Sequence, residues 1–234
     1  MKNINLLASL LLLFLASSCG KAPEPINQAL NKGHGEPAKI EMIFTAGNLS
    51  QESITSKAYL VAGFEADAAA QDLVFVGKYN EENKFVTTGG VSLSKGKWYR
   101  LRVNFYNATG QLINSQFLTP EQQKMHQFFF RTYESYNEDE GRYMTQNKKL
   151  IDYKYGDTDD SGKLLDLPVG FLGYFYIKPD VSLEQIVERV TLAHVTPPAS
   201  KLNDEGVPYK FDSPSRRLMG VTDIDIRVNI KINH

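Results

Sequence analysis

The chain has 234 residues, with 26 Lys and Arg against 27 Asp and Glu, for a formal net charge of −1. The two signs are intermixed, so no basic stripe is available for a phosphate backbone, which argues against nucleic acid as a partner. The 13 Phe and 12 Tyr favour strands over helices.

The amino terminus reads as a secretory signal over residues 1–18. Met1-Lys2-Asn3 is a short basic start, Leu6 to Leu15 is an apolar run, and Ala16-Ser17-Ser18 supplies the small residues a signal peptidase requires. The run is too short to span a bilayer, which takes about 20 apolar residues. Cys19 follows at once, and this arrangement resembles the lipobox of bacterial lipoproteins. The resemblance implies cleavage before Cys19 and lipidation of its thiol, with each buried CH₂ contributing roughly 0.8 kcal/mol to membrane attachment. Because Cys19 is the sole cysteine, disulfides, thiolate metal sites, iron–sulfur clusters and cysteine nucleophiles are then excluded. Residues 19–37 read as a flexible tether, interrupted by Pro23, Pro25, Gly33, Gly35 and Pro37, and residues 38–234 as the folded domain.

The domain reads as successive strands. Ile40, Met42 and Phe44 alternate with Lys39, Glu41 and Ile43, and Gly47-Asn48 ends that strand. Ala58 to Ala62 and Leu73 to Val76 are further short strands, with a single helical turn expected in the Ala-rich stretch Glu65 to Gln71. Tyr99, Leu101, Val103 and Phe105 form a clean period-two row, and Asn107 to Gly110 makes a turn into a returning Leu112-Ile113. Thr119-Pro120-Glu121-Gln122 carries a helix start, with Thr119 as cap and Pro120 at the first helical position. Strands are expected over His126–Arg131, Lys149–Tyr155, Val169–Ile177 and Val187–Val195, with a possible helix from Ser182 to Glu188. In the last strand Ile224, Ile226, Val228, Ile230 and Ile232 face one way, and Asp223, Asp225, Arg227, Asn229 and Lys231 the other. Many short strands separated by turns indicate an all-β, mainly antiparallel sandwich with one or two short helices.

Candidate chemistry is sparse. The four histidines are His34 in the tether, His126, His194, and the terminal His234. None are paired at local metal-ligand spacing, so a metal site would have to be assembled across strands, for example by His126 and His194 with an acidic partner. The competing reading is two buried histidines bonded to backbone. Asp157, Asp159 and Ser161, followed by Gly162, resemble the start of a calcium loop, but Pro168 stands where a twelfth-position Glu belongs. A hydrophilic turn accounts for the same residues. The acidic group Glu134, Glu138, Asp139 and Glu140 reads as a solvated loop, and no nucleophile or phosphate-binding motif is present, so no catalytic residue is assigned.

Several short motifs occur in an order that resembles small lipoproteins of Bacteroidetes. They are His34-Gly35-Glu36-Pro37, His126 to Phe130, Pro168 to Gly173, Leu192 to Val195, and Gly220 to Ile226. The resemblance implies an Ig-like or transthyretin-like sandwich at the outer membrane. It further implies an accessory to a TonB-dependent receptor that captures a nutrient such as a metal ion or haem, with no cofactor required for chemistry. A structural or adhesive subunit similar to fimbrillin-type lipoproteins is the alternative.

Overall fold

The computed structural model describes residues 33–80, 85–196, 199–216, 218 and 222–233. Residues 1–18, expected to be a signal, Cys19, the expected tether up to residue 32, and His234 lie outside these residues. Among the described residues, no helix is long and apolar enough to cross a membrane.

The described residues form thirteen strands: β1 (Lys39–Leu49), β2 (Phe64–Ala66), β3 (Leu73–Tyr79), β4 (Phe85–Thr88), β5 (Val91–Ser94), β6 (Trp98–Tyr106), β7 (His126–Tyr133), β8 (Tyr136–Asn137), β9 (Arg142–Tyr143), β10 (Ile151–Tyr155), β11 (Leu172–Ile177), β12 (Gln185–His194) and β13 (Thr222–Asn233). The helices are short, α1 (Gln51–Thr55) and α2 (Pro120–Met125), with a 3-10 turn over Asn114–Phe117. One sheet has the order β10-β11-β6-β1-β3-β4, with β2 added beside β1, a second has the order β5-β13-β12-β7, and β8 pairs with β9 in a two-stranded ribbon. The pairing is antiparallel except for β13 with β5. The expected all-β sandwich is the observed fold.

The period-two rows are what join the sheets. Ile40, Met42 and Phe44 of β1 and Leu101, Val103 and Phe105 of β6 meet Phe128, Phe130, Val190, Leu192, Ile226, Val228 and Ile230 of the other sheet in one buried cluster. Each such side chain contributes roughly 1.5–3 kcal/mol through burial. Polar residues share this interior: Glu188 of β12 is 1 % exposed and accepts a 2.8 Å hydrogen bond from the hydroxyl of Thr132, itself buried.

Three local expectations are corrected. The stretch after Gly63 forms β2 rather than a helical turn, because Phe64 stacks on Tyr174 at 5.6 Å and the strand pairs with the end of β1. No helix forms after Ser182; the chain enters β12 at Gln185, where Ile186, Val190 and Leu192 must alternate to reach the core. The return after the Asn107 turn is a single bridge, Tyr106 to Leu112. Asn114 then takes the place of a strand, its side chain accepting from Phe105 N at 2.8 Å and donating to Val103 O at 2.7 Å. Thr119 caps α2 as expected, accepting from Gln122 N.

Candidate metal centre

His126 and His194 are direct cross-strand partners of β7 and β12, at the end of the sheet where β7 begins and β12 finishes. His126 follows α2 immediately, so the helix sets where the strand starts. Its backbone N–H donates to Gln122 O, and its Nδ1 lies 3.1 Å from the same carbonyl. The position is fixed from outside as well. The buried Lys201 ammonium donates to His126 O at 2.8 Å, to Pro168 O at 2.6 Å and to Gln123 O.

Two further residues complete the cluster, and sequence reasoning missed both. Asp223 was expected to face outward with Asp225. However, the β12–β13 register runs Leu192 to Ile224 and then Ala193 to Thr222, leaving Asp223 as the extra residue of a bulge. Bulges re-aim side chains, and this one turns the Asp223 carboxylate onto the two histidines. His34 was assigned to the tether because glycines flank it. Instead the compact body begins at His34, and its imidazole packs at 4.1 Å on Phe117 of the 3-10 turn. His-Gly-Glu-Pro carries no periodicity that would have indicated this.

Three contacts in the centre have the same length. His126 Nε2 to His194 Nδ1, His126 Nε2 to Asp223 Oδ2, and His194 Nδ1 to Asp223 Oδ2 are each 3.1 Å. His34 Nε2 stands 3.4 Å from the same carboxylate oxygen, and all four ligand atoms lie within 4.8 Å of one another. Four ligands at about 2.05 Å around a tetrahedral ion would be about 3.3 Å apart. The side chains of His34, His126 and Asp223 are 0 % exposed and that of His194 is 6 %.

Hydrogen bonding alone does not satisfy this triangle. Gln122 O only accepts, so His126 Nδ1 carries the proton toward it. Burial lowers the pKa of His126, outweighing the opposing pull of Asp223, which favours the neutral ring. Its Nε2 is then a lone pair facing a carboxylate at 3.1 Å. A proton on His194 Nδ1 can serve one of those two neighbours and still leaves acceptor against acceptor. His34 repeats the pattern: Nδ1 is 3.1 Å from Gly35 O, and Nε2 has no hydrogen-bond partner. A cation among the lone pairs resolves each conflict. The carbonyls of Gln122 and Gly35 are the outer partners that orient metal-binding imidazoles.

The other anticipated site does not assemble. Asp157 is 1 % exposed, and its carboxylate accepts from the amides of Val169, Gly170 and Leu172 at 2.7–3.0 Å. Burial raises its pKa against the pull of those amides. Asp159 is exposed and closes a local turn, accepting from Ser161 N, Ser161 Oγ and Lys163 N. The two aspartates therefore point to different places, and the calcium reading of Asp157, Asp159 and Ser161 gives way to the turn. In the acidic loop, Glu138 pairs with Arg227, Glu140 with Arg142, and Glu134 accepts from Asn147. No protein family, curated protein or solved structure matches the chain, so the centre is interpreted from its own geometry.

Proposed function

We propose that this chain is a metal-binding protein of the bacterial cell envelope, with His34, His126, His194 and Asp223 holding one zinc-class divalent ion. The observation that carries this reading is the 3.1 Å triangle of two ring nitrogens and a carboxylate oxygen, whose lone pairs conflict unless a cation lies among them. Three imidazoles and one carboxylate suit zinc, which takes four such ligands and has no geometric demand of its own. Calcium and magnesium prefer oxygen ligands in larger number. Four buried donor atoms within 4.8 Å of one another favour a single ion over haem at this cluster.

Burial of all four ligands favours retention of the ion over turnover of a substrate at it. The signal-like residues 1–18 and the lipobox-like Cys19 support attachment to the outer membrane. The motif order supports a role in metal acquisition beside a TonB-dependent receptor. The adhesive alternative, which needs a detachable terminal strand, has less behind it, because β1 and β13 are each paired on both edges.

The test is a zinc titration of the full-length protein extracted in detergent. One ion per chain is expected, with uptake abolished in His126→Ala and Asp223→Ala. A wild-type protein that takes up neither zinc nor cobalt refutes the proposal.

A further inference from the structure

We infer that the ion is a clasp: its binding fastens residues 34–36 to the opposite sheet, and its removal releases them. This rests on the metal reading above and concerns what the site controls.

The ligands do not come from equivalent places. His126, His194 and Asp223 all belong to strands of the β5-β13-β12-β7 sheet, and their mutual contacts are already 3.1 Å. His34 precedes β1, a strand of the other sheet. Coordination therefore joins the entry segment of one sheet to three strands of the second.

His34 is also the ligand that stands off. Its edge to Asp223 is 3.4 Å, and its remaining edges extend within the 4.8 Å span of the cluster. Sharing an ion with the other three requires those edges to close toward about 3.3 Å. The displacement is small, and Gly33 and Gly35 on either side make the backbone easy to move.

The segment has ties of its own. Gly35 N donates to the Gln116 side chain at 2.6 Å, and the His34 ring packs on Phe117. Beyond it, Ala38 is bonded on both sides, its N donating to Tyr106 O at 2.7 Å and its carbonyl accepting from Tyr79 N at 3.2 Å, so release stops short of it. The Gln116 contact is exposed, so water readily replaces it. Three released residues add at most about 11 Å of chain between Cys19 and the body. Metal occupancy would thus set how far the body reaches from a lipid anchor.

Hydrogen exchange on the full-length protein in detergent tests this, comparing zinc with a chelator and reading the amides of His34, Gly35 and Glu36. Removal of zinc is expected to speed exchange there by at least about tenfold, while β6 and β11 amides stay unchanged. His34→Ala is expected to exchange fast in both conditions, yet still take up zinc at least about tenfold more weakly. Wild type that binds no zinc overturns the metal reading and the clasp with it. Wild type that binds zinc with unchanged exchange over 34–36 overturns the clasp alone, as does His34→Ala binding zinc as tightly as wild type.

Discussion

Zinc should raise the unfolding temperature by an amount that can be worked out in advance. Along the chain His194 lies 68 residues from His126 and 29 from Asp223, so the unfolded polypeptide has no preformed site. Binding is then linked to the folded state alone, and free zinc at about 100 times its dissociation constant adds about 2.7 kcal/mol. For a body running from His34 to His234, each kcal/mol moves the midpoint by about 2–4 °C. The shift between chelator and that zinc level is therefore about 5–11 °C. Above saturation, every further tenfold of zinc adds about 1.4 kcal/mol. The assay is thermal unfolding followed by circular dichroism at several buffered zinc levels, with Asp223→Ala as the control that does not respond. A midpoint that is the same in chelator and in saturating zinc refutes the linkage. So does an equal shift in Asp223→Ala, which would place the zinc elsewhere.

Glu188 gives a pH prediction. Burial raises its pKa to about 8 from 4.5, so the folded state keeps a proton that the unfolded state has lost. Stability from this group is full below pH 4.5 and falls as pH rises toward 8, by about 3 kcal/mol at pH 7 given about 1.36 kcal/mol per unit. Glu188→Gln should remove that slope and be the more stable protein at pH 7; urea titrations at pH 4 and pH 7 showing parallel changes in both proteins would contradict it. Asp157→Asn replaces an acceptor of three amides with a group that also donates, and should cost about 2–4 kcal/mol in the same urea assay. Lys201→Met strips three buried carbonyls of their donor, so it should cost about 3 kcal/mol and weaken zinc binding about tenfold through the loosened His126 segment. Zinc affinity unchanged in a folded Lys201→Met protein would show that this lysine does not position the ligand.

The sandwich was legible because its core rows keep strict periodicity. Ile224 to Ile232 and Tyr99 to Phe105 state both the strand and its buried face. The His126–His194 pairing was within reach for the same reason, since each histidine continues an inward row, Phe128 and Phe130 in one strand and Val190 and Leu192 in the other. The remaining ligands were not, because each depends on a departure from periodicity. Asp223 faces outward by alternation and inward by the bulge, which is visible only in the pairing of β13 with β12. His34 has no pattern around it, and what holds it is Phe117, a residue of a turn that depends in turn on Asn114 bonding to β6. The aspartate-rich turn offered two readings, a calcium loop and a hydrophilic turn; the chain buries Asp157 under three amides and leaves Asp159 in solvent, which fits the turn.

A sandwich has to keep two sheets in register at its ends, where the apolar rows run out, and many secreted sandwiches use a disulfide between the sheets there or nearby. This chain has one cysteine, and the lipobox reading commits it to a membrane anchor. A cross-link between the sheets must then use other side chains. On the proposed reading three imidazoles and a carboxylate would do so through an ion, joining the segment before β1 to β7, β12 and β13. The substitution would change the behaviour of the link. A disulfide persists once formed in an oxidising compartment, whereas a His₃Asp link would be present in proportion to free metal. Placed at the residue where the body begins, such a link would make the geometry of a lipid attachment at Cys19 a function of metal supply. Histidine and aspartate are therefore suited to this position in a way that a second cysteine would not be.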